Sequence, residues 1–288
     1  MPAERLRPAT RLPLMAALAV HWDDCSVAIG NRDAILGETW SRQPERAAAS
    51  APPAAGAGGG SPVASRDALL LLDRLLARSG IALADVRQLC FARGPGAFTS
   101  LRVAAGLVQG LSLATAIPVA GICSLAALIA HEPAWRHGDG SRSWLQLAAL
   151  DARMGECYFA VHLCRGGRHP ETVLEPAVGS AARAIAAFEA TLARHPEVEP
   201  VLAGNAFRLL PELAGWALRT GNDPQQAGAR APTAEAVLAV AMSQGAPAPG
   251  PARTALPVYV RDKIALDVSE QQASAAARAR AGSIRAGA

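Results

Sequence analysis

The chain has 288 residues, 51% of them hydrophobic and 18% charged, which suits one large domain or two small ones and excludes a chain that is disordered throughout. Aromatic residues reach only 4%, so the cores must be aliphatic, with closely packed helices. A net charge of +4 is compatible with RNA contact without requiring it, since part of the excess sits at the ends, at Arg5, Arg7, Arg11, Arg278, Arg280 and Arg285.

Arg5, Arg7 and Arg11 precede an apolar run, Leu12 to Val20, that superficially resembles a secretory leader. The run is short, contains Pro13 and leads straight into a second strand-like run, so a β-hairpin accounts for both. No apolar stretch approaches the roughly 20 residues needed to span a bilayer. Met15 to Val20, Cys25 to Ile29 and Ala34 to Trp40 read as three strands of an antiparallel meander. Gln43 to Ser65 is a low-complexity, Ala/Gly/Pro-rich stretch, expected to be a flexible insertion. Asp67 to Arg78 is a helix whose leucines cover more than one face. Val86 to Ala92 is a buried strand, and Arg93-Gly94-Pro95-Gly96 forms a loop into a helix from Thr99 to Thr115. Pro118 and Val119 begin another extended segment, and Ser124 is placed to cap a helix to Ile129.

The order then repeats. Trp144 to Leu150 and Glu156 to Leu163 form a hairpin around Asp151–Gly155, and Thr172 to Val178 adds a third strand. Ser180 opens a helix to Ala193, Val201 to Ala203 is a short strand, and helices follow over 206–219 and 233–242. Residues 1–11 and 269–288 read as disordered ends, with one lobe over 12–119 and a second over 120–268. Two lobes with the same strand and helix order define an α/β architecture of the actin, hexokinase and Hsp70 type.

In the first loop, Gly94 and Gly96 can take positive φ, and Thr99 or Ser100 can cap the helix. Free N–H groups at that helix start, with Arg93 and Arg102 nearby, suit a phosphate or nucleotide edge; a tight strand-to-helix connection explains the same residues. In the helix, Gly106 and Gly110 lie four residues apart on one side. Small residues so spaced let another helix approach closely. With the Asp67–Arg78 helix this makes a two-helix apolar surface, facing either the sheet or a partner. Asp151, Arg153 and Glu156 suit either a turn held by an arginine–carboxylate pair or acid–base work.

Five cysteines without a CxxC pair argue against a disulfide framework and a zinc site, and read as small buried residues. Six histidines show no ligand spacing, and neither a GxSxG elbow nor a Walker loop occurs. No metal is therefore expected, and a protease reading finds no nucleophile and base.

Gly94-Pro95-Gly96-Ala97-Phe98-Thr99-Ser100-Leu101-Arg102 resembles the GPGSFTGLR motif of the TsaB family, and Asp151-Ala152-Arg153-Met154-Gly155-Glu156 resembles its DARMGE hairpin. Cys25–Ile29, Gly204-Asn205, Pro232-Thr233-Ala234 and Pro257-Val258-Tyr259-Val260-Arg261 resemble further landmarks of that family, in order. The resemblance implies an actin-like ASKHA (ribonuclease H-like) fold and a cytoplasmic, non-catalytic subunit. That subunit dimerises with the TsaD-like catalytic subunit forming N6-threonylcarbamoyladenosine beside the anticodon of ANN-decoding tRNAs. The implied interface comprises Leu69, Leu72, Leu76, Leu101, Val103, Gly106, Leu107, Gly110 and Leu111. A TsaE-like ATPase, indirect contact with tRNA, a homodimer in the absence of TsaD, and ATP or ADP at the complex interface are implied too, with no cofactor of the subunit's own. Three positions depart from the pattern. His21-Trp22 replaces the phosphate-touching turn after the first strand, Ala64-Ser65 replaces a His-Ser pair, and no HxxxH pair exists to hold the TsaD-type metal. These departures weigh against the alternative, an independent ASKHA-fold ATPase, kinase or acyltransferase.

Overall fold

A computed structural model describes residues 13–21, 24–41, 62–137 and 142–261. The expected disordered ends, the Trp22-Asp23 turn and most of the expected insertion lie outside the described residues. The first sheet contains β1 (Leu14–His21), β2 (Asp24–Gly30), β3 (Ile35–Ser41), β4 (Val86–Gly94) and β5 (Val119–Cys123) in the order β3-β2-β1-β4-β5. β1, β2 and β3 pair antiparallel, whereas β1, β4 and β5 are parallel. The parallel strands are joined through α1 (Pro62–Ser79) and α2 (Phe98–Thr115). The helix α1 reaches back to Pro62, so residues 62–65 are helical rather than part of the insertion.

After β5 come α3 (Ser124–Ala127), a 3₁₀ turn over Leu128–His131, and α4 (Pro133–His137). The second sheet contains β6 (Ser143–Arg153), β7 (Glu156–Arg165), β8 (Glu171–Ser180) and β9 (Glu199–Ala203) in the order β8-β7-β6-β9. Around it lie α5 (Ala181–Leu192), α6 (Ala206–Leu209), α7 (Pro211–Arg219) and α8 (Pro224–Ala229), before α9 (Ala234–Ala241). In both sheets a meander of three strands is followed by a crossover helix and a fourth strand parallel to the first. That shared order is the duplication read from the sequence.

Strand alternation divides each core. Ala16, Leu18, Leu89 and Phe91 face α1 and α2, while Ala17, Ala19, Cys90 and Ala92 face α9. The α9 side is mostly alanine, so α9 lies close to the sheet without large side chains between. The chain thus returns to the first sheet after completing the second, and the two lobes interleave in sequence. In the second lobe Phe188 packs against Phe159, Phe207 and Trp216 at ring separations of 5.9–6.2 Å. The other face of β6 and β7 meets Leu125 and Leu128 and joins the lobes.

Two of the expected helix starts are capped: the Ser180 side chain accepts the Arg183 N–H, and Thr233 accepts that of Ala236. Ser124 does not cap; Cys123 takes the cap position and Ser124 is the first helical residue. The single helix expected over 206–219 is two, because Pro211 cannot donate to the preceding turn and starts α7.

His162 on β7 is buried, and burial pulls its pKa down to about 4, assisted by nearby His169. The unfolded chain takes up this proton near pH 6.5 and the folded chain near pH 4, so stability is present above the higher value and lost as pH falls between the two. His162→Leu is expected to flatten the fall in denaturant-measured stability between about pH 6.5 and 4 by up to about 1.4 kcal/mol per pH unit. An unchanged slope contradicts the assignment.

Candidate functional site

The Gly94–Arg102 segment is covered by the protein's own later chain. β4 ends at Gly94, whose φ is +114°, and an added Cβ would lie 2.7 Å from the Val258 carbonyl oxygen, so only glycine fits. The Val258 N–H donates to the Arg93 carbonyl at 2.7 Å, laying residues 257–261 over the loop. Pro95 and Gly96 are buried. Gly96 is not in the left-handed region, contrary to expectation, and neither Thr99 nor Ser100 caps the helix: Ala97 holds the cap position without a side-chain bond, Thr99 is exposed and Ser100 buried.

Arg102 is engaged by this strap. Its guanidinium carbon lies 3.8 Å from the Phe98 ring centre and 5.9 Å from that of Tyr259, and its Nε–H donates to the Tyr259 hydroxyl at 3.0 Å. The two rings lie 5.0 Å apart. Arg93 remains exposed and lies over Gly121. Two residues beyond Tyr259, Arg261 pairs with the Glu156 carboxylate and donates to the Ala152 carbonyl at 3.3 Å. Residues 257–261 therefore tie the start of α2 in one lobe to the β6–β7 hairpin in the other.

The hairpin is itself braced. The Asp151 N–H donates to Asn205 Oδ1 at 2.9 Å, and Asp151 Oδ1 accepts the Arg153 N–H at 3.0 Å. The Arg153 guanidinium lies 3.6 Å from Asp151, giving the expected pair, whereas Glu156 pairs with Arg261 instead. Burial raises the Asp151 pKa, opposed by the Arg153 N–H and guanidinium. Arg153, Met154 and Gly155 all have positive φ, which brings Met154 to an exposed tip. Gly204, at φ +115°, passes so close to the Ala149 carbonyl that a Cβ would lie 2.1 Å from it. Elsewhere Ser26 Oγ accepts the Ala234 N–H at 2.9 Å, so the Cys25–Ile29 and Pro232–Ala234 segments also meet. Phe98, Asn205, Tyr259 and Arg261 are not among the sequence-based site residues; Phe98 meets Arg102 one helical turn on, a spacing that could have revealed it, whereas Asn205, Tyr259 and Arg261 have partners too far along the chain for spacing to reveal.

The remaining chemistry is muted. Burial raises the thiols of Cys25 to about 11 and of Cys90 and Cys157 to about 12, and raises Cys123 and Cys164 as well, so these are protonated. Among the described residues no group of three His, Cys, Asp or Glu side chains could hold a metal ion.

The nine residues of the implied interface separate into two sets. Leu72 and Leu101 are buried against the first sheet and cannot meet a partner. Leu76, Val103, Leu107 and Leu111 are half-buried, and Leu69, Gly106 and Gly110 are exposed. Leu69, Leu70 and Leu113 are exposed by 43%, 41% and 78%. A Cβ built on Gly106 or Gly110 meets nothing within 4 Å, so these glycines pack against no other element among the described residues.

The fold is that of the actin-like ASKHA proteins, two related α/β lobes with a strand–loop–helix element at their junction. The model of the family described as TsaD, tRNA N6-adenosine threonylcarbamoyltransferase, matches residues 64–214. The chain is 32% identical over 208 residues to the tRNA threonylcarbamoyladenosine biosynthesis protein TsaB of Escherichia coli K12, covering 68% of this chain and 80% of that protein. It is 41% identical over 92 residues to the Haemophilus influenzae protein of the same name, covering 32% and 37% of the two chains. The solved structure titled YeaZ from Pseudomonas aeruginosa superposes with a TM-score of 0.58 at 25% identity, covering 86% of this chain and all of that one. The chain belongs to the TsaB family.

If the strap is a cooperative brace, Tyr259→Ala and Arg102→Ala each destabilise the chain by about 1–2 kcal/mol. A double-mutant cycle in denaturant then returns a coupling of about 0.5–2 kcal/mol. Strictly additive losses contradict the brace.

Proposed function

We propose that the chain acts in tRNA threonylcarbamoyladenosine biosynthesis as a non-catalytic, cytoplasmic subunit. It pairs through the exposed side of α1 and α2 with a TsaD-like catalytic subunit acting on ANN-decoding tRNAs. The observation that carries this reading is the open Gly106–Gly110 side of α2, together with the exposed Leu69 and Leu70 of α1 and Leu113 of α2. Glycine in an exposed helix interior costs about 1 kcal/mol relative to alanine, and a second helix approaching closely gives that cost a function. The non-catalytic part is supported by the covered loop and by Arg102, whose guanidinium is held by Phe98 and Tyr259. In this reading a TsaE-like ATPase joins the pair, and ATP or ADP belongs to the interface, with Arg93 as the exposed loop cation. The same glycine side accounts for self-association when TsaD is absent. No helix among the described residues is long and apolar enough to cross a membrane.

Co-purification with a TsaD-like protein from the same cell tests the pairing. Gly106→Leu is expected to weaken it at least about tenfold, roughly 1.4 kcal/mol. Gly106→Ala, whose methyl meets open space, is expected to leave the isolated chain as stable or up to about 1 kcal/mol more stable. Normal pairing by a folded Gly106→Leu chain sinks the interface assignment.

A further inference from the structure

Three adjoining clefts surround the Ser243–Gly245 turn after α9, on the side of the first sheet away from α1 and α2. One, of about 440 Å³, is lined by Arg165, Arg168, Glu171 and Gln244. Another, of about 390 Å³, is lined by Arg32, Asp33 and Arg136. A third, of about 420 Å³, shares Arg32 with the second and Gln244 with the first, so the clefts form one trough. Four arginines line it against two carboxylates. One of these, Glu171, lies 3.7 Å from Arg165. Among the described residues no carboxylate lies within 4 Å of Arg32, Arg136 or Arg168.

The backbone presenting these cations is pinned. The Trp135 indole N–H donates to the Arg168 carbonyl at 2.9 Å, and the Gly167 N–H donates to the Trp135 carbonyl at 3.0 Å. His169 donates to the Gln244 carbonyl at 2.9 Å, while Gln244 donates to that of Gly167 at 3.0 Å. In the β2–β3 turn, Asn31 Oδ1 accepts the N–H groups of Asp33 and Ala34, closing the turn that carries Arg32. Cations held this way lose less freedom on binding an anion than cations on a mobile loop.

We propose that this trough binds the phosphate backbone of RNA, an assignment that rests on the tRNA-linked function above. Arg136 already donates its Nε–H to the Ala130 carbonyl, whereas the guanidinium groups of Arg32 and Arg168, without a carboxylate partner among the described residues, fit phosphate oxygens in bidentate fashion. A trough continuous over three clefts exceeds a single phosphate group. Of its two rings, Trp135 is buried and His169 is half-buried with its backbone N–H tied to Gln244, so no exposed Phe, Tyr or Trp face stands ready to stack on bases. The contact is therefore to the backbone of a folded RNA rather than to splayed bases.

Fluorescence anisotropy of labelled tRNA with the full chain, titrated over a series of salt concentrations, tests this. The double variant Arg32→Ala/Arg168→Ala is compared with Arg208→Ala/Arg219→Ala, two exposed arginines on the helices covering the other face of the second sheet. The first pair is expected to weaken binding about tenfold at low salt and to make the log K against log salt slope shallower by about 2, roughly one per arginine. The control pair is expected to change neither. Three outcomes overturn the proposal: no tRNA binding, equal effects of the two pairs, or an acidic peptide bound as tightly as tRNA. Co-purification of both variants with the TsaD-like subunit keeps this result separate from the pairing test, which can fail while the RNA slope stands.

Discussion

The bond from the Val258 N–H to the Arg93 carbonyl determines how the rest of the site is built. Because it lays residues 257–261 across the end of β4, Gly94 can carry no side chain, Pro95 and Gly96 are buried, and Tyr259 reaches Arg102. The chain direction then delivers Arg261 to Glu156 in the other lobe. An arginine at each end of the strap does a different task. Arg102 is a flat cation lying over aromatic faces, and Arg261 is a hydrogen-bonding fork for a carboxylate and a carbonyl. Neither task suits lysine, whose compact ammonium offers no planar face.

Covering the loop redirects its use. Free N–H groups at a helix start attract anions when solvent reaches them. Here the approach to that helix is occupied by the protein's own backbone and by a cation already held over the Phe98 ring and bonded to the Tyr259 hydroxyl. The same α2 instead carries Gly106 and Gly110 on its far side, with open space above both. Sequence spacing placed an anion loop and a close-packing helix side by side. In the structure the strap covers the loop, and both glycines of the helix face open space.

Much of the fold was legible because alternation and glycine or proline punctuation are local. The runs around Leu18, Val27 and Leu147 alternate between two covered faces, and each forms a strand at the expected place. Misreadings arose where two local rules competed. Ser124 is a good capping residue, yet Cys123 occupies that position. Pro211 lies within an apolar run whose periodicity continues through it, and it divides that run into two helices. The face taken by Leu72 and Leu101 depends on helix rotation against the sheet, which spacing alone leaves open in a helix with leucines on several sides. The strap was beyond local reading: Arg102 and Tyr259 each lie in a distinctive segment, but the two are 157 residues apart and nothing local says that they meet.

The return of α9 to the first sheet has a consequence for biosynthesis. Ser26 bonds to the backbone of Ala234, 208 residues later, and α9 is a main cover of the alanine face of β1, β2 and β4, beside Ile129 and Trp135. On the ribosome, the first five strands emerge long before their second covering layer. Such distant contacts slow folding and leave apolar surface open in the meantime. The face left waiting is made of alanines rather than leucines or phenylalanines. Each of these side chains offers a nascent neighbour little surface to grip, so the composition that lets α9 sit close also limits the adhesiveness of the half-made protein.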